Sequence, residues 1–184
     1  MDHIFCTTNI KRILLNIMFL GTTMLKPNLE IKYLKDCPEY IKTCAEWSFS
    51  SWGHYTPERT FADFIKSRQE YLNDYKLPLT MIALYNNIPV GMCSLAANRG
   101  ILPELTPWLA TLYVTPEYRS QGIGKALEQA ICNKAKSLGF DKIYCFTSDL
   151  SIISWYQENG WSIRCNSEIH DHTVIVLEKN TKNP

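Results

Sequence analysis

Apolar and polar side chains alternate along several short stretches of the chain, a pattern typical of half-buried β-strands. The first is "LEIKYLK", residues 29–35. Two longer apolar runs meet at an Asn-Asn pair, residues 86–87, which predicts a hairpin closed by a tight turn. Further strands are predicted at 108–114, 142–147, 161–166 and 173–179, with a turn at 167–172 before the last.

Apolar positions spaced three and four residues apart predict four helices. The clearest helix covers 120–139 and ends at Gly139. Another runs from Pro38 to Trp52, with proline in its first turn, and a short one covers 150–160. The remaining helix is predicted from Pro57 to about Tyr75, with Phe61, Phe64, Ile65, Arg68 and Leu72 on one face.

The predicted element order is β-α-α-β-β-β-α-β-α-β-β. This order indicates an α+β fold with a mixed sheet. The strands at 108–114 and 142–147 should be parallel neighbours, because the helix 120–139 connects them as a crossover.

The first 23 residues differ from the rest. Lys11 and Arg12 precede the apolar run "ILLNIMFL", which is much shorter than the roughly 20 apolar residues that a membrane span needs. The following "GTTM" is not a signal-peptidase site. We therefore expect residues 1–23 to be an extension that is not part of the fold, and residues 24–184 to form a single domain.

Composition narrows the function classes. The 184 residues are 46% hydrophobic and 20% charged, which is typical of a globular protein. The net charge of +1 gives no electrostatic reason to expect nucleic acid or a membrane as partner. Seven scattered cysteines without a CxxC pair favour reduced thiols, hence a cytoplasmic protein, and no metal site is expected.

The most informative stretch is "VTPEYRSQGIGKAL", residues 114–127, between a predicted strand and a predicted helix. A helix start preceded by glycines exposes unpaired N–H groups and suits a phosphate. A Walker loop is excluded by the spacing, and a dinucleotide fingerprint would need Gly or Ala where Leu127 stands. A glycine-rich helix start without any ligand is the remaining alternative.

Two motifs in order and spacing resemble the GNAT superfamily of N-acetyltransferases. Arg119, Gly122 and Gly124 match that family's R/Q-x-x-G-x-G/A motif, and "WYQENGW", residues 155–161, matches its aromatic-Tyr-x-x-x-Gly-aromatic ending. The resemblance covers about residues 29–178 and is strongest over 108–161. It implies a mostly antiparallel sheet with a splayed parallel pair and flanking helices.

The resemblance also implies that acetyl-coenzyme A is the cosubstrate. Its pyrophosphate would lie on the glycine turn, and Arg119 would brace that loop or contact a phosphate. The pantetheine arm would pair with the backbone of Leu112 and Val114 in the splayed strand. Asp149 stands where many members have an asparagine beside the coenzyme, and its alternative role is a helix cap. The residues implied in coenzyme binding are Leu112, Tyr113, Val114, Arg119, Ser120, Gln121, Gly122, Ile123, Gly124, Lys125 and Asp149.

Tyr156 matches the family tyrosine that protonates the coenzyme A sulfur, which its ordinary pKa of roughly 10 allows at neutral pH. The alternative is a packed core tyrosine. Glu104, in the loop before the splayed strand, is the candidate general base, or else an exposed loop carboxylate. His54 could line the acceptor cleft with Trp52 and Tyr55. The "HDH" at 170–172 is only superficially like a metal site.

These features together predict an acetyl-CoA-dependent N-acetyltransferase that acts on a primary amine, most simply of a small molecule, by direct attack on the thioester. We expect a monomer or homodimer. Three alternatives stay open: a peptide or protein amine as acceptor, a non-catalytic acyl-CoA-binding module, and a partner-binding subunit of a larger complex.

Overall fold

The computed structural model describes residues 28–169 and 171–182. These residues form an α+β fold built on one seven-stranded sheet with the strand order β1-β2-β3-β4-β5-β7-β6. The extension predicted at 1–23 lies outside the described residues. The strands are β1 (Leu29–Tyr33), β2 (Leu79–Tyr85), β3 (Ile88–Ala96), β4 (Trp108–Val114), β5 (Lys142–Thr147), β6 (Ser162–Ile169) and β7 (His172–Asn180).

All neighbouring strands are antiparallel except β4 and β5, which are parallel. Along that parallel pair the register is held at one position, Trp108 opposite Tyr144, and Tyr144 N donates to the Pro107 carbonyl at 3.0 Å. Beyond this point the two strands separate. The predicted mixed sheet with a splayed parallel pair is therefore confirmed.

Within the described residues, four α-helices flank the sheet. They are α1 (Ile41–Trp52), α2 (Phe61–Glu70), α3 (Ile123–Ser137) and α4 (Ile153–Glu158). Helix α3 ends at Ser137 with Leu138 as its C-cap, and the left-handed Gly139 (φ 88°) follows as the predicted stop. Short 3₁₀ turns extend α1 and α4 at their N-termini, at Pro38–Tyr40 and Leu150–Ile152.

Helix α2 is shorter than the sequence predicted, because its first residue is Phe61 rather than Pro57. Thr60 is the N-cap, and its side chain and that of Asp63 form a capping box. This reciprocal pairing satisfies the backbone amides of Thr60 and Asp63, so the helix begins after Thr60. The helix also ends at Glu70, before the predicted end at Tyr75.

The end of the chain corrects a second prediction. Residues 167–172 were expected to be a turn, but β6 continues to Ile169 and β7 begins at His172. Ile169 pairs with His172 across the hairpin, so the connection is two residues long. The expected tight turn at residues 86–87 is confirmed, because both asparagines have positive φ angles (50° and 64°).

Side chains of successive strand residues point to opposite faces of the sheet, and two layers of core follow from this. On one face, Leu127 and Ile131 of α3 are fully buried against β2, β3 and β4 residues such as Leu95. On the other face, residues of β2 and β3 pack under α1, and Trp108 anchors a separate cluster beneath the loop 97–107.

Candidate active site

A β-bulge lies in β4 where the splayed strands separate. Met92 of β3 pairs with Tyr113, whereas Ser94 pairs with Ala110, so Cys93 is opposite both Thr111 and Leu112. Thr111 has a positive φ of 49°. The bulge reverses which backbone groups face away from β3. Since Thr115 N donates to the Val90 carbonyl, alternation turns the backbone groups of Leu112 and Val114 toward the gap in the sheet.

Gly91 permits this close approach of β3 and β4. A Cβ atom at Gly91 would lie 2.6 Å from the carbonyl oxygen of Tyr113. A glycine within a strand often marks such a contact. The sequence carries this signal as a glycine inside the apolar run "IPVGMCSLAAN", residues 88–98.

The glycine turn precedes α3, and Gly122 is the N-cap residue in a left-handed conformation (φ 81°). Among the described residues no side chain caps this helix end, so none of them satisfies the amides of its first turn as a capping group. Ser120 also has a positive φ of 59°. A Cβ at Gly122 would point into open space. The turn therefore presents backbone N–H groups and the positive end of the helix dipole at the surface.

The loop between β4 and α3 is held by two side chains. Arg119 Nε donates to the Val114 carbonyl at 3.0 Å, and Gln121 Nε2 donates to the Glu117 carbonyl at 3.2 Å. Bracing by Arg119, one of the two roles expected for it, is what the structure shows. Lys125 is exposed, whereas Ile123 is buried in the core and has only its backbone at the turn.

Helix α4 contacts both the glycine turn and the protein interior. A Cβ at Gly124 would lie 3.8 Å from the ring of Trp155, so that ring packs against the start of α3. The next residue, Tyr156, is only 5% exposed, and its ring contacts Trp155 and Trp161. Two consecutive residues of α4 thus contact the turn and the cavity described below.

Burial raises the pKa of the Tyr156 hydroxyl well above its usual value, and the nearby Cys145, Cys93 and Glu128 side chains act in the same direction. A tyrosine in this setting is protonated throughout the physiological pH range. It can therefore donate a proton.

Behind Tyr156 lies a buried carboxylate that the sequence analysis did not single out. Glu128 is 2% exposed, and its Oε1 accepts from Trp161 Nε1 at 2.8 Å and from Lys179 Nζ at 2.9 Å. The Cys132 thiol donates to the same oxygen at 3.1 Å. These partners compensate the buried charge and hold the indole against which the Tyr156 ring packs.

A cavity of about 430 Å³ opens between α1, α2, β4 and β5. It brings Tyr156, Leu112 and Asp149 of the predicted site together with Trp52 and Tyr55. The Asp149 carboxylate accepts from the backbone N and hydroxyl of Ser151, at 2.9 and 2.6 Å, so it fulfils the capping alternative. His54 is exposed in the 3₁₀ turn Gly53–Tyr55 and is not among the lining residues.

Glu104 is not brought to this site. Its side chain is exposed in the loop before β4, and it does not line the cavity. The neighbouring Ile101 and Leu105 anchor that loop in the Trp108 cluster. The structure therefore gives the exposed-carboxylate alternative the better support, and the role of Glu104 as a base is a prediction without a structural argument.

The cavity wall also contains three arginines, Arg59, Arg68 and Arg99. The sequence carried a signal for one of them, because Arg68 occupies the apolar face of α2 among Phe61, Phe64, Ile65 and Leu72. A charged residue at a core position of an amphipathic helix is unusual unless something compensates it.

The sequence also led us to expect no metal site and no membrane span. Within residues 28–169 and 171–182, no group of three or more His, Cys, Asp or Glu side chains is placed to hold a metal ion. His170 of the "HDH" stretch lies outside those residues. In the same ranges no helix has the length and apolar character that a membrane crossing requires. The cysteines of the described residues are free thiols, namely Cys37, Cys44, Cys93, Cys132, Cys145 and Cys165.

Residues 40–161 match the model of the Acetyltransferase (GNAT) family. The chain belongs to this family. The resemblance drawn from the glycine and tyrosine motifs is therefore confirmed at the level of the family.

Individual relatives are distant. The "Amino-acid acetyltransferase" of Proteus mirabilis (strain HI4320) is 39% identical over 54 residues, which are 29% of this chain and 12% of that protein. The chain thus spans a small part of the length of that relative.

Solved structures share the fold at low identity. An aminoglycoside 6'-N-acetyltransferase complexed with coenzyme A superposes with a TM-score of 0.65 at 16% identity, over 83% of this chain and 97% of that one. A GNAT-family acetyltransferase from Staphylococcus aureus Mu50 gives 0.63 at 20% identity, over 84% and 99%. At these identities the likeness shows the fold alone.

Proposed function

We propose that this GNAT enzyme transfers the acetyl group of acetyl-CoA to a primary amine of a small molecule, by direct attack of the amine on the thioester. The observation that carries the proposal is that two adjacent residues of α4 contact the glycine turn and the cavity. Trp155 packs on the uncapped glycine turn, and the adjacent Tyr156 faces the cavity as a protonated hydroxyl.

The turn fits the pyrophosphate of coenzyme A. No side chain in the described part of the chain caps the first-turn amides of α3, and a Cβ at Gly122 would meet no described atom within 4 Å. Gln121, Gly122, Ile123, Gly124 and Lys125 would contribute backbone N–H groups, and Ser120 lies beside them. A solved relative of this fold contains coenzyme A, which agrees with the proposed ligand.

The open edge of β4 fits the rest of the coenzyme. Backbone groups of Leu112 and Val114 face the gap beside β5 and would hydrogen-bond the pantetheine amides. The Val114 carbonyl already accepts from Arg119, so its amide is the group left for the ligand. The intervening Tyr113 turns its ring toward α1, where it stacks on Trp47 at 5.3 Å.

In the proposed reaction, groups of the protein have three roles. Backbone N–H groups at the β4 bulge polarise the thioester carbonyl. The cavity orients the acceptor amine toward the same carbon. Tyr156 donates its proton to the sulfur as the thiolate leaves, since its raised pKa keeps that proton in place before the reaction. The coenzyme supplies the activated acetyl group.

The proposal is tested with acetyl-CoA and a panel of primary amines, following the release of free coenzyme A with a thiol reagent and the product by mass. Turnover with a small amine and a rise in melting temperature with acetyl-CoA alone are expected. A melting shift without turnover for any amine would indicate a non-catalytic acyl-CoA-binding module. Turnover restricted to peptides would indicate the protein-amine alternative.

A further inference from the structure

The residues that line the cavity carry a net positive charge. Arg59, Arg68 and Arg99 all line it, and the single carboxylate among the lining residues of the described chain, Asp149, is turned toward Ser151. None of the ion pairs within residues 28–169 and 171–182 includes one of these three arginines. The part of the protein that is described therefore holds none of the three in an ion pair.

Arg68 is the most deeply placed of the three. It is 5% exposed, and its guanidinium lies over the ring of Tyr71 at 4.6 Å. Burial lowers the pKa of Arg68, although an arginine stays charged at any physiological pH. A buried cation without an anionic partner is costly to the fold.

The hydrogen bonds that Arg68 makes use one end of its guanidinium. Nη1 donates to Ser94 Oγ at 3.0 Å and to Thr111 Oγ1 at 3.5 Å. Nε is buried and has no hydrogen-bond partner in the described chain. The Nε–Nη2 edge of a guanidinium is the one that binds a planar oxyanion side-on through two parallel bonds. Arg68 lines the cavity, and the Nε of this edge is a buried donor that no described group satisfies.

Arg68 is also fixed relative to the reaction centre. Thr111 is the bulge residue of β4, and its hydroxyl donates to Ser94 Oγ at 2.8 Å, which in turn is 2.8 Å from Thr80 Oγ1. This hydroxyl cluster holds the guanidinium beside the strand segment that would carry the thioester. A small acceptor bound to Arg68 would therefore lie in the same cavity as Thr111 and Leu112.

We propose that the acceptor is an amine that also carries an oxyanion, with a carboxylate as the simplest case, and that Arg68 binds this group with Arg59 and Arg99 around it. This inference rests on the proposed acetyl transfer. The neutral amine forms the bond to the acetyl carbon, and the carbon–sulfur bond breaks. The nitrogen loses one proton to water, and the sulfur takes one from Tyr156, which water then reprotonates. A polyamine or an aminoglycoside would instead place positive charges beside three arginines, which would repel them.

The test uses pairs of acceptors that differ in the acidic group. They are 4-aminobutyrate with butylamine, leucine with leucinamide, and phosphoethanolamine with ethanolamine, together with spermidine and an aminoglycoside. At saturating acetyl-CoA we expect kcat/KM to be on the order of 10- to 100-fold higher for the acidic member, as for a charge-assisted hydrogen-bonded pair. A preference for phosphoethanolamine over both carboxylates would assign the oxyanion as phosphate and supports the same chemistry.

Variants separate this role from simple bracing of β4. Arg68→Gln should reduce the ratio of kcat/KM within each pair toward one, and Arg68→Lys should keep part of it. A purely structural role would lower both members of a pair equally. Arg59→Gln and Arg99→Gln, at partly exposed positions, should each reduce the ratio even if the Arg68 variants fold poorly. Arg164→Gln, which removes a charge outside the cavity, is the matched control.

Failure of the inference is distinguishable from failure of the proposed function. If acetyl-CoA binds and butylamine or spermidine is acetylated at least as well as the acidic amines, only the inference is overturned. If no amine reacts, the transferase proposal and this inference both fall. Ratios unchanged in all three cavity arginine variants would also overturn it.

Discussion

Arg119 Nε donates a hydrogen bond to the backbone carbonyl of Val114 at 3.0 Å, across the loop that joins β4 to α3. This bond connects the last residue of the splayed strand to the segment that carries the glycine turn. The two backbone regions that would hold coenzyme A are therefore positioned by one side chain, which itself is exposed.

Arg119→Ala should weaken acetyl-CoA binding by about 10-fold, the equivalent of one hydrogen bond to a charged donor, because the loop is no longer held in the binding geometry. The melting temperature without ligand should change little, since the residue is on the surface. Calorimetric titration with acetyl-CoA checks this, with Arg164→Gln as the control. Unchanged affinity in Arg119→Ala would mean that the loop keeps its conformation without the bond.

The two motif glycines should respond differently to alanine. Gly122 has a φ of 81°, where a Cβ costs about 1–2 kcal/mol, although nothing surrounds it. Gly124 is helical, and a Cβ there makes ordinary contacts at 3.8 Å with Trp155 and Val114. Gly122→Ala should thus lower both the melting temperature and acetyl-CoA affinity, whereas Gly124→Ala should retain both.

Thermal melting and calorimetry on both variants give the comparison. Gly122→Asn is the matched variant, because asparagine tolerates the left-handed conformation better than alanine. If Gly124→Ala were the damaging change, the phosphate cradle would involve that Cβ position rather than the Gly122 backbone.

Gly91→Ala should destabilise the fold by about 1–3 kcal/mol, as overpacking does, because its Cβ would meet the Tyr113 carbonyl at 2.6 Å. Backbone cannot move aside as a flexible side chain does. The strain falls on β4 next to its bulge, so acetyl-CoA affinity should fall as well. Denaturant unfolding and calorimetry measure the two effects. Native stability in Gly91→Ala would contradict the close approach of β3 and β4.

The sequence predicted the features that depend on local pattern. The Asn-Asn turn, the stop at Gly139 and the parallel pair all follow from residue types and spacing, and all are present. The start of α2 was placed at Pro57 because proline suits a first turn, but the capping box at Thr60 and Asp63 decides where the helix begins.

Features that depend on tertiary contacts were not accessible in the same way. Glu128 occupies one position of an amphipathic helix, and nothing in its local sequence shows that Trp161 and Lys179 surround it. The cavity arginines come from α2 and from two separate loops, and only their assembly in the fold creates a common charge. Glu104 illustrates the reverse case, because a loop position alone suggested a role and the fold turns the side chain to solvent.

Glu178 makes the stability of the β5–β7–β6 edge pH-dependent. Its hydrogen bond with Lys142 (2.9 Å) is the largest cause that lowers its pKa below the ordinary value of 4.5, and Arg164 (2.7 Å) adds to it. Because the folded-state pKa is below the unfolded one, the stabilisation is present above pH 4.5 and is lost as the pH falls through the folded-state pKa.

Glu178→Gln should therefore lower the free energy of unfolding at pH 7 by under about 1 kcal/mol, since both partners are partly exposed. The difference from wild type should shrink as the pH is lowered below 4.5. Melting curves measured between roughly pH 3 and 7 follow this difference, because that range brackets the ordinary titration of a carboxyl group. Glu46→Gln, at an exposed position of α1, is the control. A deficit that persisted unchanged in acid would mean that packing, not charge, is lost.

The central claim is that Tyr156 protonates the leaving thiolate of a coenzyme held by the α3 turn, and Tyr156→Phe tests it most directly. The variant keeps the ring between Trp155 and Trp161 and removes the hydroxyl. The measurement is the initial rate with the best acceptor, beside calorimetric affinity for acetyl-CoA. We predict near-native affinity with turnover reduced about 10²- to 10⁴-fold, the usual range for general acid catalysis. Equal rates at equal affinity would contradict the account and leave Tyr156 as a packing residue.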